Sequence, residues 1–253
     1  MLRKSYASFL YFLLYFPIVI LIVYSFNDSK YSISWKGFTL DWYIKLLQND
    51  SLIEAALNTV HVAFTSAFAA TVLGALGAIA LYRYDFFGKK FLHSLVYILI
   101  MSPEIVMGIS LLMLFIFLTM PLGFWTLFIA HVTFSVPFVI VTVLARLNGF
   151  DLSIIEAAKD LGASEWITFK SILLPNIIPA LIAGFLLSFT LSLDDVIISF
   201  FVTGPDYEIL PLKIYSMVKL GVKPEINALS AVMFAFTLVM VVVLQIFMKK
   251  KTL

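Results

Sequence analysis

The chain has 253 residues, of which 62% are hydrophobic and only 13% are charged, whereas about a quarter of the residues in a soluble domain are charged. This composition excludes an ordinary soluble domain and indicates an integral membrane protein. Cysteine is absent, which excludes a disulfide framework and a thiolate metal site. The net charge of +2, with basic residues spread over short loops, gives no indication of nucleic-acid binding.

Six apolar stretches are long enough to cross a lipid bilayer, for which an α-helix needs about 20 apolar residues. They cover residues 8–26, 57–81, 92–118, 122–145, 177–202 and 228–248. The first follows Arg3 and Lys4, as a signal peptide does, but no cleavage site of small residues comes after it, so we interpret it as a retained anchor. The sequence therefore predicts an all-α integral membrane protein with six transmembrane helices in one domain, residues 1–253.

The distribution of positive charge predicts how these helices are oriented, because Lys and Arg in short loops are retained on the cytoplasmic side. One side holds Arg3, Lys4, Arg83, Lys89, Lys90, Arg146, Lys159, Lys170, Lys249, Lys250 and Lys251, and the other holds Lys30, Lys36, Lys45, Lys213, Lys219 and Lys223. The richer side is predicted to be cytoplasmic, together with both termini. The long outer loops, residues 27–56 and 203–227, are expected to pack at the membrane surface or to contact an external partner.

The cytoplasmic loop between the fourth and fifth spans, about residues 150–175, is predicted to form two short helices. A Ser-x-x-Glu capping box that ends at Glu156 begins the first helix, and Gly162 is expected to end it in a left-handed conformation. Ser164 can cap the second helix, which Pro175 is expected to close before the next span. These features leave open whether the loop only covers the helix bundle or binds another protein.

Three acidic residues fall inside the predicted spans, namely Glu104 in the third span and Asp194 and Asp195 in the fifth. A carboxylate at the centre of a span costs roughly 2.5–3.5 kcal/mol on insertion scales, so such residues usually face a polar cavity or a partner. No Lys or Arg lies within a span, so a substrate with several positive charges can supply the missing partner. A hydrogen-bonded structural acid, or one that faces a partner subunit, is the alternative.

The backbone conformation around these acids decides whether their side chains can face one pathway. Neighbouring residues on a helix point about 100° apart, so Asp194 and Asp195 can both face one narrow pore only if the helix is interrupted. Pro103, directly before Glu104, is expected to kink the third span and to expose carbonyl groups that can also bind an ammonium group.

No cofactor site is predicted on this chain. It lacks a Gly-x-x-x-x-Gly-Lys-Ser/Thr loop for nucleotide phosphates. His61, His93 and His131 lie far apart in the sequence, so we expect hydrogen-bonded histidines inside the helix bundle rather than a metal site. A membrane-embedded enzyme would need a catalytic constellation, and none is recognisable.

The cytoplasmic loop resembles the EAA motif of permease subunits in binding-protein-dependent ABC importers. The matching positions are Glu156, Ala157, Ala158, Gly162, Ile172, Leu174 and Pro175. This resemblance implies the permease fold of type I ABC importers in a bacterial inner membrane. It also implies that the loop docks on a separate cytoplasmic ATPase, which holds ATP and Mg²⁺. Glu156 would then offer a charged contact, the two alanines would permit close backbone approach, and Gly162 would set the angle between the two helices.

Runs outside the loop resemble the spermidine/putrescine branch of this family and extend over nearly the whole chain. Among them are Phe26-Asn-Asp-Ser, Met101-Ser-Pro-Glu-Ile-Val-Met, Ser192-Leu-Asp-Asp-Val-Ile-Ile-Ser and Phe201-Val-Thr-Gly-Pro. The resemblance implies a second homologous permease subunit, two ATPase copies, an extracytoplasmic polyamine-binding protein and a polyamine substrate, without separating spermidine from putrescine. The three acids would line its pathway. An ABC permease for another small solute and an ion-coupled secondary transporter are the alternatives.

Overall fold

The computed structural model describes residues 2–29, 34–151, 153–219 and 224–249, and most of them are helical. The helices are α1 (Leu2–Tyr24), α2 (Asp41–Leu47), α3 (Asp50–Arg83), α4 (Lys89–Met101), α5 (Glu104–Phe117), α6 (Phe124–Leu147), α7 (Ser153–Asp160), α8 (Glu165–Thr168), α9 (Leu174–Asp194), α10 (Ile197–Val202), α11 (Leu210–Lys219) and α12 (Pro224–Lys249). The all-α prediction is confirmed. Among the basic residues that predict orientation, Lys30, Lys223, Lys250 and Lys251 lie outside the described residues.

Five segments of the described chain are long and apolar enough to cross a membrane. They are Tyr6–Tyr24, Asp50–Arg83, Phe124–Leu147, Glu165–Asp194 and Glu225–Val243. The third predicted span is different, because α4 and α5 meet at a bend of 112°. The prediction of six segments therefore holds when this bent pair is counted as one.

The bend follows from the local sequence. Pro103 has no amide hydrogen to continue the hydrogen bonds of α4, and Ser102 before it has the extended backbone (φ −68°, ψ 136°) that proline favours in the preceding residue. Glu104 is consequently the first residue of α5. The expectation of a kink at Pro103 is confirmed, and Glu104 lies at this break, within the third predicted span.

The fifth predicted span, residues 177–202, begins earlier and is interrupted before its end. Helical backbone runs from Glu165 to Asp194 and includes a π-helical turn at Phe169–Leu173. The expectation that Pro175 ends the loop helix is wrong, because Pro175 lies in the first turn of α9. A π turn accepts this proline because its wider spacing relieves the clash of the ring with a preceding carbonyl. Beyond Asp194 the backbone becomes extended at Asp195 before α10 begins.

Internal contacts divide the chain into two compact units, residues 1–57 with 209–243 and residues 58–208 with 244–253. In the first unit, buried side chains of α2, α3, α11 and α12 form a core that includes Leu46, Leu52 and Leu229. Trp42 is buried there too, and its indole N–H donates to the Asn27 carbonyl at 2.8 Å. The single domain 1–253 stays a prediction.

In the second unit, α6 packs closely against α3 and α9 around Val139. A Cβ atom added to Gly74 of α3 would lie 2.5 Å from Val139 Cβ, and one added to Gly184 of α9 would lie 3.2 Å from Val139 Cγ1. Small residues at these crossings let neighbouring helices approach, as is usual inside membranes where lipid is as apolar as leucine. The breaks in α4–α5 and α9–α10 belong to this same unit.

Candidate functional site

The two helix breaks meet at one cavity of about 430 Å³. Its wall includes Ser102 and Glu104 beside the α4–α5 bend, and Asp194, Asp195 and Val196 at the α9–α10 break. Apolar side chains of α4, α5, α6, α9 and α10 complete the wall. The three acids that stand out in the apolar spans therefore line a single cavity. Asp194 and Asp195 are expected to face one space only if the helix is interrupted, and α9 does end at Asp194.

Asp195 is held by hydrogen bonds from the start of α10. Its Oδ2 accepts the backbone N–H and the hydroxyl hydrogen of Ser199, each at 2.7 Å, and its Oδ1 accepts the N–H of Ile198 at 3.3 Å. The side chain is only 7% exposed. A carboxylate offers about four lone-pair directions, so most of them are already occupied. Asp195 is thus a hydrogen-bonded acid that also contributes to the cavity wall.

The Glu104 and Asp194 side chains differ from that of Asp195 in exposure and in hydrogen bonding. Both residues are exposed, and among the described residues no ion pair or hydrogen bond with another residue engages either carboxylate. Glu104 begins α5, where the positive end of the helix dipole favours a negative side chain. Asp194 ends α9. These two carboxylates are the ones that a ligand in the cavity can reach directly.

Behind Asp195 lies a buried polar network that the sequence did not predict. Nδ1 of His131 is 2.5 Å from the Ser192 hydroxyl, and Nε2 is 3.0 Å from the Ser199 hydroxyl and 3.6 Å from Asp195 Oδ2. The Ser192 hydroxyl is 3.3 Å from that of Ser66. The expectation that His131 is a hydrogen-bonded bundle histidine is confirmed. Its serine partners lie on two other helices, α9 and α10, and serines within spans give no signal of their own.

The loop that is predicted to be cytoplasmic begins with a cap that differs from the expected one. The Asp151 carboxylate accepts the N–H of Ser153 at 2.9 Å, and this hydrogen bond holds the pKa of Asp151 below its usual value. Asp151 therefore supplies the cap in place of the expected Ser-x-x-Glu box. The reason is that an Asp side chain readily accepts the N–H two residues further along the chain.

The end of α7 agrees with the prediction. Gly162 has a φ of +83°, in the left-handed region. The N–H of Gly162 donates to the Lys159 carbonyl at 2.8 Å, and the N–H of Ala163 donates to the Ala158 carbonyl at 3.0 Å. This pair of bonds is a Schellman motif. The Ser164 hydroxyl then accepts the N–H of Ile167 at 3.3 Å, which confirms the predicted cap of the second helix.

The surface of this loop is open to a partner. Glu156, Ala157, Gly162 and Pro175 are exposed and Ala158 is partly exposed. Leu161 and Trp166 lie next to them with 89% and 67% of their surfaces exposed. A surface of this kind, apolar and rimmed by charge, is typical of protein interaction sites.

Ion pairs fasten the loop to the rest of its unit. The Glu165 carboxylate binds the guanidinium of Arg83 at the end of α3 and the Lys159 ammonium, the latter at 2.7 Å. The Tyr82 hydroxyl also donates to the Phe150 carbonyl at 3.2 Å. The two short helices are therefore linked both to each other and to the cytoplasmic end predicted for α3.

The comparison with known families gives a direct result. Residues 70–250 match the family described as binding-protein-dependent transport system inner membrane component. The chain belongs to this family. The permease is thus one component of a larger transport system, and the prediction of a multi-pass protein of the bacterial inner membrane is confirmed.

Individual relatives agree with this assignment. The permease is 54% identical over 252 residues to the spermidine/putrescine transport system permease protein PotC of Escherichia coli K12, covering 100% of this chain and 96% of that one. It is 42% identical over 225 residues to the putrescine transport system permease protein PotI of the same strain, with 86% and 80% coverage. A crystal structure of a bacterial ABC transporter involved in the import of alginate matches at a TM-score of 0.73 and 17% identity, with 98% and 94% coverage. This match confirms the importer permease fold.

Proposed function

We propose that this permease is a subunit of an ATP-driven ABC importer for polyamines, spermidine or putrescine, and forms half of its translocation pathway. The observation that carries the proposal is the cavity, in which Glu104, Asp194 and Asp195 converge and whose described lining contains no Lys or Arg. The printed names of the relatives PotC and PotI, which are spermidine/putrescine and putrescine permeases, support the same substrate class.

The chemistry of the cavity suits an extended polycation. The Glu104 and Asp194 carboxylates, which pair with no other described residue, attract ammonium groups, and the attraction is strong because the surroundings are largely apolar. The last carbonyl groups of α4 and α9, near Met101 and Asp194, lack helical partners and can accept hydrogen bonds from the same ammonium groups. Phe134 and Phe138 offer apolar surface to the methylene segments between the charges. A small anion would meet none of these preferences.

We further propose the partners that such an importer needs. They are a second homologous permease subunit, two copies of a cytoplasmic ATPase that holds ATP and Mg²⁺, and an extracytoplasmic polyamine-binding protein. Support for the ATPase contact comes from the exposed EAA positions Glu156, Ala157 and Gly162 at the surface of the loop. In this scheme both termini are cytoplasmic. ATP binding closes the ATPase pair, the loop transmits the closure, and the cavity becomes accessible from outside until hydrolysis resets it.

Uptake of labelled polyamine by the reconstituted complex tests the role of the cavity. Asp194→Asn and Glu104→Gln remove charge with little change in size and should each reduce uptake at low substrate concentration roughly tenfold, the scale of one lost interaction with a charged group. Asp85→Asn is the matched control, because Asp85 lies outside the cavity and pairs with Lys89. Unchanged uptake in both cavity variants, with normal assembly, would remove these residues from the pathway.

Two further measurements separate the alternatives. Competition by unlabelled solutes distinguishes a polyamine permease from an ABC permease for another small solute, because only polyamines should displace the label. Dependence on ATP distinguishes both from an ion-coupled transporter. Uptake that persists without ATP and collapses with an ionophore would contradict an ABC mechanism.

The docking role of the loop is tested at Gly162. A Cβ atom at this position meets no neighbour within 4 Å, so its φ of +83° is the only obstacle to a side chain. Gly162→Val should uncouple ATP hydrolysis from transport, whereas Gly162→Asn should retain coupling because Asn tolerates the left-handed region. Gly88, with a φ of +90° and equally open surroundings, provides the control Gly88→Val. Intact coupling in Gly162→Val and Glu156→Gln would exclude the docking role.

A further inference from the structure

The His131 network joins three helices behind the cavity wall, with His131 on α6, Ser192 on α9 and Ser199 on α10. The Ser66 hydroxyl of α3, which donates to the Val62 carbonyl, lies beside Ser192. None of the four side chains is more than 1% exposed. Water does not reach these side chains from outside, so each polar hydrogen needs an acceptor within the protein. The network therefore has few ways to arrange its hydrogen atoms.

The hydrogen bonds follow one direction that ends at Asp195. The Ser199 hydroxyl donates its hydrogen to Asp195 Oδ2 at 2.7 Å. The Ser199 oxygen is then free to accept, and His131 Nε2 at 3.0 Å is its donor. The other nitrogen of a neutral imidazole accepts, so Nδ1 receives the hydrogen of the Ser192 hydroxyl at 2.5 Å. This arrangement assigns the Nε2–H tautomer to His131.

Helix α6 contacts α10 near both ends of α10. Near the end of α10, the Thr126 hydroxyl of α6 donates to the Val202 carbonyl at 2.7 Å, while His131 of α6 reaches Ser199 in its first turn. Helix α10 has only six residues, and a helix this short is not stable without such external contacts. The position of the Asp195 carboxylate thus depends on the hydrogen bonds that Thr126 and His131 of α6 make to α10.

We propose that His131 is a positioning residue for the substrate pathway, because it fixes the Asp195 carboxylate at the cavity wall through the Ser199 hydroxyl. Asp195 then acts as a stationary negative charge, while Glu104 and Asp194 are free to follow the substrate. This inference rests on the proposed polyamine function for the consequence of that charge. The network itself does not depend on the identity of the substrate.

Transport kinetics of the reconstituted complex with labelled spermidine test the proposal. His131→Leu removes the donor to Ser199 and should raise the half-saturating concentration roughly tenfold, as expected for one lost hydrogen bond in a charged network, with a smaller effect on the maximal rate. His131→Gln places an amide N–H near the former Nε2 and should restore most of the affinity. A purely structural role for the imidazole would instead lower the maximal rate with little change in the half-saturating concentration, without rescue by Gln.

A matched control comes from a neighbouring serine. Ser188 lies one helical turn before Ser192 on α9 and is equally buried, but its hydroxyl has no hydrogen-bond partner in the described part of the chain. Ser188→Ala should therefore leave transport unchanged, whereas Ser199→Ala should reproduce part of the His131→Leu defect. Equal effects of the two serine substitutions would contradict a specific network.

A double-mutant cycle with Asp195→Asn decides whether His131 acts through Asp195. If it does, His131→Leu will add little to the defect of Asp195→Asn, since the charge that it positions is already gone. Multiplied defects would overturn the positioning role. Co-purification of the partner subunits with each variant establishes that the complexes compared are intact.

Nitrogen-15 NMR of labelled His131, in a chain with His61→Gln and His93→Gln, tests the network independently of transport. The Nε2–H tautomer is expected, with a changed Nε2 shift in Asp195→Asn. An Nδ1–H tautomer would overturn the positioning role alone. Spermidine uptake that is unaffected by both Asp194→Asn and Asp195→Asn would instead remove these aspartates from the pathway, and with them the pathway role of His131. A complex without substitutions that takes up no polyamine would overturn the proposed function.

Discussion

The acids of the cavity differ in what surrounds each carboxylate. Asp195 accepts three hydrogen bonds from the first turn of α10, whereas Asp194, its neighbour in sequence, ends α9 and is exposed. Replacement by Asn is therefore not equivalent at the two positions. Asp195→Asn turns one acceptor into a donor that faces the N–H of Ser199 or of Ile198, while Asp194→Asn only removes charge.

The cap of α7 makes the loop sensitive to acid. The N–H of Ser153 depresses the pKa of Asp151, so the cap stabilises the folded loop above the ordinary Asp pKa, which is about 3.9, and the stabilisation is lost as pH falls through the depressed pKa. Amide hydrogen exchange at Ser153, corrected for the intrinsic rate at each pH, should show protection at neutral pH and its loss in acid. Asp151→Asn keeps an acceptor but should abolish this pH dependence. Equal pH profiles in the two proteins would contradict the prediction.

Some residues of the site can be predicted from the sequence and others cannot. Glu104, Asp194 and Asp195 stand out because a charge in an apolar stretch is costly. The serines around His131 do not, since Ser within a span commonly donates to a carbonyl of its own helix, as Ser66 also does to Val62. His131 and its partners are 61 and 68 residues apart in sequence, and only the fold brings them together.

At the scale of helices, the bend between α4 and α5 is predicted to depend on Pro103. Pro103→Ala supplies an N–H that can join α4 to α5, so the bend should open toward a continuous helix. The chain contains no cysteine, so Ser94→Cys and Ile116→Cys would provide unique sites for two spin labels. Pulsed EPR should give a longer distance in the Pro103→Ala protein, approaching roughly 33 Å for a straight helix over this interval. An unchanged distance would show that tertiary packing, and not the proline, sets the bend.

The crossing of α3 and α6 should not tolerate a larger residue at Gly74. A Cβ atom there would lie 2.5 Å from Val139 Cβ, so Gly74→Ala forces the helices apart and should destabilise the permease by about 1–3 kcal/mol. Gly77→Ala, one turn further along α3, meets only the flexible end of Ile140 at 3.2 Å and should cost less. Thermal unfolding of the purified complexes measures both, and Val139→Ala should not rescue Gly74→Ala fully, because alanine keeps the Cβ atom that clashes. Equal losses would contradict this account.

Helix ends were predictable where local chemistry decides them. Gly162 and Ser164 carry conformational preferences that act within one turn, and both predictions hold. Pro175 shows the opposite case. The rule that proline ends a helix assumes α-helical spacing, and the π turn at Phe169–Leu173 changes that spacing. Its formation depends on packing across the unit, including the burial of Leu173 and Ile177, which the local sequence does not specify.

For the whole molecule, the predicted orientation leads to a labelling experiment. Lys45 lies in an outer loop and Lys90 in a cytoplasmic loop by the distribution of positive charge, and both residues are exposed. In intact spheroplasts, a membrane-impermeant thiol reagent should modify Lys45→Cys but not Lys90→Cys, and permeabilisation should expose both. The natural absence of cysteine makes the background low. Labelling of Lys90→Cys from outside would reverse the topology.

The overall fold was predictable because apolar length, and not residue identity, defines the spans. A permease that shares 17% of its residues with this chain still matches it at a TM-score of 0.73. What the lengths do not reveal is where a span is broken. The interruption at Asp195 requires Ser199 and Ile198 to meet its carboxylate, which is a tertiary arrangement that hydropathy does not register.

The bend at Ser102 and Pro103 also bears on how well the idle permease insulates the membrane. Helices α4 and α5 have 13 and 14 residues, so each rises only roughly 20 Å along its axis, less than a hydrocarbon core of roughly 30 Å. Neither half alone can seal the bilayer against ions. The apolar side chains of Met107, Phe134 and Phe138 line the cavity wall between the two halves, and we expect their packing to limit ion leakage while no substrate is bound.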